Sequence, residues 1–182
     1  MRELSLNVLD IAQNSIVAGA TLVELSVCED TVNDRLTLVI ADNGRGMTPE
    51  QLAQVRDPFY TTRTTRKVGM GIPLFRMAAE IAGGELVISS TVGKGTTVTA
   101  TFGLSHIDRM PLGDMAGTVS TLIRLNPHLD FVYRHDVDGQ VFQLDTRVLR
   151  EVLEGVPLSE PDVMEWIDGN MAEGLLPLNS QA

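Results

Sequence analysis

Cysteine is nearly absent from this chain. Cys28 stands alone among 182 residues, which excludes an internal disulfide and a cysteine-built metal cluster. It falls in an expected strand and reads as an inert core or edge residue. Aromatic residues are scarce, at 4%, while hydrophobic residues reach 43%, so any core is mostly aliphatic. No run approaches the ~20 apolar residues of a membrane-spanning helix. The start, Met1 to Ser5, lacks the basic-then-apolar order of a secretion signal. Basic charge is short as well: 14 Lys and Arg stand against 24 Asp and Glu, a net charge of −10. A phosphate backbone rewards a basic face, so nucleic acid is not the expected partner. The default expectation is a cytoplasmic protein of one domain, or one domain with an appendage.

The charge that is present is uneven. Residues 1–103 hold 9 basic and 11 acidic side chains, and residues 104–182 hold 5 and 13. Five of the nine basic residues lie between Arg45 and Lys67, a cluster suited to a small anionic ligand.

Residues 4–18 read as a helix. Leu6, Leu9, Ala12 and Ile16 recur at helical spacing and are expected to face a core. Asn7, Asp10 and Asn14 line a second face, read either as the ligand inventory for an oxygen-bound cation or as a solvated stripe. Gly19 is a candidate C-cap. Strands are expected over 21–28 and 35–41, joined by a polar turn over 29–34. The second strand runs into Asp42-Asn43-Gly44-Arg45-Gly46-Met47. An Asn-Gly pair is a turn signal. A carboxylate followed by two glycines is also a way for backbone to lie against a flat ring while Asp42 accepts from an amino group.

Thr48-Pro49-Glu50-Gln51 carries a capping box and a proline at the first helical position. Residues 57–67, rich in Thr and Arg, have no apolar period and read as a loop. Gly69-Met70-Gly71 then leads into a helix whose apolar face is expected from Leu74, Met77, Ala78 and Ile81. A glycine loop at a helix start suits phosphate. Strands over 85–90 and 96–102 flank a turn at Val92 to Gly95. The whole to residue 104 is an α+β layer.

Taken in order, the polar helix stripe, Asp-x-Gly-x-Gly, the Thr/Arg loop and Gly-x-Gly at a helix start resemble the ATP-binding domain of the GHKL superfamily, which comprises DNA gyrase, heat-shock chaperones, histidine kinases and mismatch-repair ATPases. The stretch Asp10 to Thr21, with Asn14-Ser15 and Ala18-Gly19-Ala20-Thr21, looks most like the mismatch-repair ATPases. Phe59 to Arg63, Gly69 to Ile72 and Gly93 to Thr96 look more like histidine kinases. The resemblance implies the Bergerat fold over residues 1–104: a two-layer α/β sandwich with a mixed, mostly antiparallel sheet. It implies ATP and Mg²⁺ as cofactors. Carried over by motif, Asn14 would hold Mg²⁺ and Asp42 would bind the adenine amino group. Gly44, Gly46 and Met47 would let the base pack. Gly69, Met70 and Gly71 would cradle phosphate, and Thr96 would lie near the adenine-binding water. Arg63, Arg66 and Lys67 are placed to touch phosphates on the strength of their charge.

Asp10 stands where hydrolytic members carry Glu, the base that activates water, and Asp is one methylene shorter. The lid loop is short, and with the chain beginning at the helix no upstream phosphoacceptor helices are expected, so an autophosphorylating sensor kinase is not the expected function. Of His106, His128 and His135, the last lies in an expected strand and reads as a strand histidine. Residues 105–182 resemble no named family. They read as a small acidic α/β module for protein contact: a helix over 116–125, strands over 131–137 and 141–145 around Asp138-Gly139, a helix over 147–154 capped by Thr146, and a further helix holding Trp166. Residues 175–182 read as a frayed tail. The expected function is Mg-ATP binding, with Asp10 positioning either a partner side chain or water for γ-phosphate transfer. The alternative is a nucleotide-sensing adaptor whose lid gates protein binding. A protein partner is expected, no membrane, and a homodimer is left open.

Overall fold

The computed structural model describes residues 3–56 and 71–182. In chain order the elements are α1 (Leu4–Val17), β1 (Leu22–Asp30), β2 (Arg35–Asp42), α2 (Pro49–Arg56), α3 (Gly71–Ile81), β3 (Leu86–Thr91), β4 (Gly95–Gly103), α4 (Met115–Leu125), β5 (Asp130–Val137), β6 (Gln140–Asp145), α5 (Thr146–Leu153) and α6 (Pro161–Leu175), then a 3₁₀ turn, Leu176–Leu178. The expected α+β class holds. Among the described residues, six strands form one sheet in the order β3-β4-β2-β1-β5-β6. Only β1–β5 is parallel, with Leu22 opposite Asp130. The other pairings are antiparallel. Residues 105–182, expected as an appended module, thus supply two strands to the same sheet, and one hydrophobic core runs through both parts. Among the described residues no helix is long and apolar enough to cross a membrane.

Alternation along the strands decides which side chains are covered. Val23, Leu25 and Val27 of β1, Leu36, Leu38 and Ile40 of β2, and Val98, Ala100 and Phe102 of β4 are all buried. Helices α3, α1, α4 and α6 pack side by side over that face.

Two helices turn inward a face that only partly matches the one expected: Ala12 is buried, and Leu9, Ile16 and Ala78 pack partly buried against the core. In α1 the buried residues are Leu4, Ser5, Asn7, Val8, Ile11, Ala12 and Ser15, whereas Leu6 is exposed. In α3 they are Gly71, Ile72, Phe75 and Ala79, whereas Met77 and Ile81 are half exposed. Each helix carries two apolar stripes, and the sheet takes the one with the larger or better-fitting groups, Phe75 in α3 above all.

Local signals were accurate where the chemistry is local. Gly19 adopts φ +77° at the end of α1, its N–H donating to Ile16 O at 3.0 Å and that of Ala20 to Ser15 O at 3.2 Å, a Schellman closure. At α2 the Thr48 N–H donates to Gln51 Oε1 at 2.9 Å and the Gln51 N–H to Thr48 Oγ1 at 3.2 Å, completing the capping box. Asp138 and Gly139 both take positive φ in the β5–β6 turn. At α5 the cap is Asp145, whose Oδ1 accepts from the Arg147 N–H at 2.9 Å. Thr146, the expected cap, is instead buried and accepts from the Phe131 N–H.

Glu29 is the largest departure. Expected in a polar turn, it is the next inward position of β1 after Val27 and is fully buried. Its Oε1 accepts from His135 Nε2 at 2.7 Å and Ser180 Oγ at 2.6 Å, and its Oε2 from the Gln181 N–H at 2.7 Å. His135 Nδ1 in turn lies 3.1 Å from the Tyr133 hydroxyl. Burial pushes the Tyr133 phenol well above its usual range. His135 is a buried strand histidine, as expected. The tail read as frayed is tied down by this carboxylate, because a buried charge needs every donor it can reach. Leu178 is buried beside it in sequence, and Arg109 holds Gln181 O at 3.2 Å.

Candidate functional site

The inward phase of β2 runs through Leu36, Leu38 and Ile40 to Asp42. That of β4 runs through Phe102, Ala100 and Val98 to Thr96, and Asp42 pairs directly with Thr96. Two apolar columns therefore end in a carboxylate and a hydroxyl, side by side and half-buried, on the face that α1 covers.

Asp42 is fixed by two donors. Ser15 Oγ, on α1, donates to Oδ2 at 2.7 Å, and the Gly44 N–H to Oδ1 at 2.8 Å. An ionised carboxylate has about four acceptor sites, so Asp42 keeps capacity for a further donor.

The residues after Asp42 are stitched on both sides. Asn43 Oδ1 accepts from the Thr21 and Leu22 N–H groups at 2.8 and 2.9 Å. The Arg45 N–H donates to Ala18 O at 3.0 Å, and the Gly93 N–H to Arg45 O at 2.8 Å. Ser90 Oγ accepts from the Met47 N–H at 2.8 Å and lies 2.8 Å from Thr96 Oγ1. Gly46 has φ +66°, and a Cβ there would overlap the Thr91 carbonyl. A Cβ on Gly44 would press on Ala18 O at 3.0 Å. These glycines serve close backbone approach, to the β3–β4 turn and to the end of α1.

Together these pieces enclose a cavity of about 170 Å³, walled by Ile11, Ile40, Met47 and Val98, with Asp42 and Thr96 among its polar groups. That is below the ~300 Å³ of a whole drug-sized ligand site. It suits one flat apolar part of a ligand with a hydrogen-bond donor on its edge.

Asn14 also lines the cavity and is exposed. Asp10, one turn earlier on α1, is exposed too. Gly71 opens α3 against it: a Cβ on Gly71 would lie 3.1 Å from Asp10 Cβ and 3.4 Å from Asp10 Oδ2. Asp10 thus stands by a helix N-terminus, whose first N–H groups lack intrahelical partners. Asn7 does not join them. It is buried, with neither amide atom hydrogen-bonded among the described residues, so the expected three-residue stripe divides into one interior residue and two open ones.

Asp10, Asn14, Asp42, Gly44, Gly46, Met47, Gly71 and Thr96 are therefore gathered at one end of the sheet and along α1. Arg63, Arg66, Lys67, Gly69 and Met70 lie outside the described residues. Three residues at the site had no role assigned from sequence: Ser15, Asn43 and Ser90. Ser15 could have been found, since it is the polar member of a stripe with Val8, Ile11 and Ala12. Ser90 could not, because its partners are set by strand pairing.

Comparison with known proteins gives the family and the fold. The family model described as histidine kinase-, DNA gyrase B- and HSP90-like ATPase matches residues 1–106. The chain is 32% identical over 102 residues to the histidine protein kinase DivJ of Caulobacter vibrioides, covering 54% of this chain and 17% of that one. It is 36% identical over 102 residues to the sensor protein SrrB of Staphylococcus aureus, covering 53% and 17%. The chain thus spans about a sixth of the length of either relative. In structure it is similar to the crystal structure of the N-terminal domain of a DNA repair protein, with a TM-score of 0.56 at 16% identity, covering 80% of this chain and 53% of that one. That likeness concerns the fold, and it extends beyond residues 1–106.

Proposed function

The chain belongs to the histidine kinase-, DNA gyrase B- and HSP90-like ATPases, and on that premise we propose that it binds Mg-ATP at the Asp42–Thr96 end of the sheet and uses the γ-phosphate to regulate a protein partner. The observation that carries this reading is the anchored carboxylate: Asp42 held at 2.7 and 2.8 Å beside Thr96, at an apolar cavity sized for one ring. A purine carrying an exocyclic amino group meets those demands.

Each residue then has a task of its own. Asp42 accepts from the base amino group, and Thr96 offers a hydroxyl beside it. Met47, Ile40 and Val98 cover the ring. Asn14 offers an amide oxygen, a hard donor of the kind Mg²⁺ takes. The start of α3 at Gly71 presents N–H groups to phosphate. Bound Mg-ATP supplies the transferable phosphoryl group. Asp10, exposed beside Gly71, orients the acceptor, either a partner side chain or water, and accepts its proton.

The test follows γ-labelled ATP with the purified chain, alone and with candidate partner proteins, to free phosphate or to labelled protein. Asp42→Asn should lower ATP affinity at least tenfold, and unchanged affinity would sink the assignment of the base. Asp10→Asn should remove turnover and spare binding. Binding without turnover in the wild type would favour the reading of a nucleotide-sensing adaptor, for which the short Asp10 side chain is the motive.

A further inference from the structure

Helix α6 has two apolar stripes, and only one of them is used by the fold. The inner stripe, Met164, Ile167 and Met171, is buried against α4 and β6. The outer stripe runs Trp166, Gly169, Ala172 and Leu176, at spacings of 3, 3 and 4, and stays in solvent. Trp166 is 53% exposed and Leu176 80%. Leu176 continues the helical backbone, with φ −55° and ψ −44°. Between them a Cβ on Gly169 would meet nothing within 4 Å. The seam is about 15 Å long at 1.5 Å per residue.

Carboxylates share that face. Asp162, Glu165 and Glu173 are exposed and recur with the seam at helical spacing. No cation stands against them among the described residues, whereas Asp168, on the flank, is met by Arg124 at 3.6 Å. An exposed tryptophan in line with an exposed leucine, over a small-residue step, leaves an apolar seam open to a partner. Tryptophan in such a setting is a typical anchor of an interface.

We propose that the outer face of α6 docks a basic amphipathic helix of a partner protein. The apolar stripe of such a helix covers Trp166 and Leu176, and the low step at Gly169 and Ala172 lets the two backbones come close. Its Lys and Arg reach Asp162, Glu165 and Glu173, and a cation over the Trp166 ring gains a further attraction. Complementary charge selects the occupant: anionic lipid and nucleic acid are repelled by the same carboxylates. This rests on the preceding reading only for the existence of a protein partner, and no nucleotide enters its test.

Trp166 is the only tryptophan in the chain, so its fluorescence reports this face alone. The full chain is titrated with a synthetic 18-residue helix carrying a leucine stripe flanked by lysines. Controls are a twin with glutamates for the lysines, and a lysine-rich peptide without the stripe. A saturable blue shift is expected with the basic amphipathic peptide only. The E165K/E173K variant should bind roughly tenfold more weakly. The E80K/E85K variant changes net charge equally but sits on α3 and before β3, at the far edge of the sheet, and should bind as the wild type does. The proposal is overturned by absence of a shift, by an equal response to the lysine-rich peptide, or by equal weakening in both charge variants. Loss of ATP binding in the preceding experiment would leave this outcome unaffected.

Discussion

Replacing Glu29 by Gln tests whether a buried carboxylate holds the two parts of the chain together. Three donors converge on Glu29. A glutamine can keep its oxygen toward His135 Nε2 and Ser180 Oγ, but its amide nitrogen then faces the Gln181 N–H, donor against donor. One charge-assisted bond, worth ~1.5–3 kcal/mol, is lost, and the other two fall toward the neutral value of ~0.5–1.5 kcal/mol each. The amide is cheaper to bury than the carboxylate, which returns part of the loss. A net destabilisation of about 2–4 kcal/mol follows. At ~2–4 °C per kcal/mol for a chain of this size, the midpoint should drop by about 5–15 °C. Thermal and urea unfolding of the two proteins at pH 7 measure it.

The pH dependence gives an independent check. Burial alone raises the Glu29 pKa, but the hydrogen bonds from His135, Ser180 and Gln181 outweigh it and hold the carboxyl below its ordinary range. The unfolded chain therefore takes up the proton first as pH falls. The stabilisation from Glu29 is complete above the ordinary carboxylate range and is lost as the pH falls through the depressed folded value. Glu29→Gln has no such group, so the gap between the two proteins should narrow in acid. A midpoint within about 1 °C of wild type at pH 7, or a gap that stays constant into acid, would refute the reasoning.

Other perturbations address the candidate site. Ser15→Ala removes the 2.7 Å donor to Asp42 and should weaken ATP binding by roughly 2- to 12-fold in calorimetry, the equivalent of one net hydrogen bond; an unchanged affinity would mean that Asp42 needs no anchor. Gly46→Ala forces a Cβ onto the Thr91 carbonyl at a positive φ and should cost about 1–3 kcal/mol in urea unfolding. Asn14→Ala should abolish the Mg²⁺-dependent part of nucleotide affinity while leaving the melting temperature near wild type, because Asn14 is exposed. Retained Mg²⁺ dependence would remove Asn14 as a ligand.

How much of this was legible beforehand follows the range of the interaction. The Thr48 capping box, the Gly19 cap and the Asp138-Gly139 turn are closed within a few residues, and the sequence states them. The course of β2 into Asp42 was legible from its apolar alternation, whereas the contacts of Gly44 and Gly46 with the end of α1 and the β3–β4 turn are set by pairing far along the chain. The faces of α1 and α3 were legible only in part, since Leu6 competes with Leu4 and Val8, and Met77 and Ile81 with Ile72 and Phe75, and only the opposing sheet decides. Glu29 was misread because its donors lie more than a hundred residues away. Alternation from Val27 would have pointed it inward, against its charge. The pairing of β1 with β5 carries no local mark at all.

That parallel pairing has a consequence for synthesis. Leu22 meets Asp130, so on the ribosome β1 has to wait for about a hundred further residues before one of its edges is covered. At ~5–20 residues per second the interval is roughly 5–20 s. During that time the nascent chain holds the motifs of the ATPase family beside an unpaired strand edge, which is a template for wrong partners. The carboxylate at the end of that strand, Glu29, also waits, because His135, Ser180 and Gln181 come later still. The chain should therefore be most exposed to aggregation, and most responsive to chaperones, when its candidate-site residues have already been made and the strand that shields β1 has not.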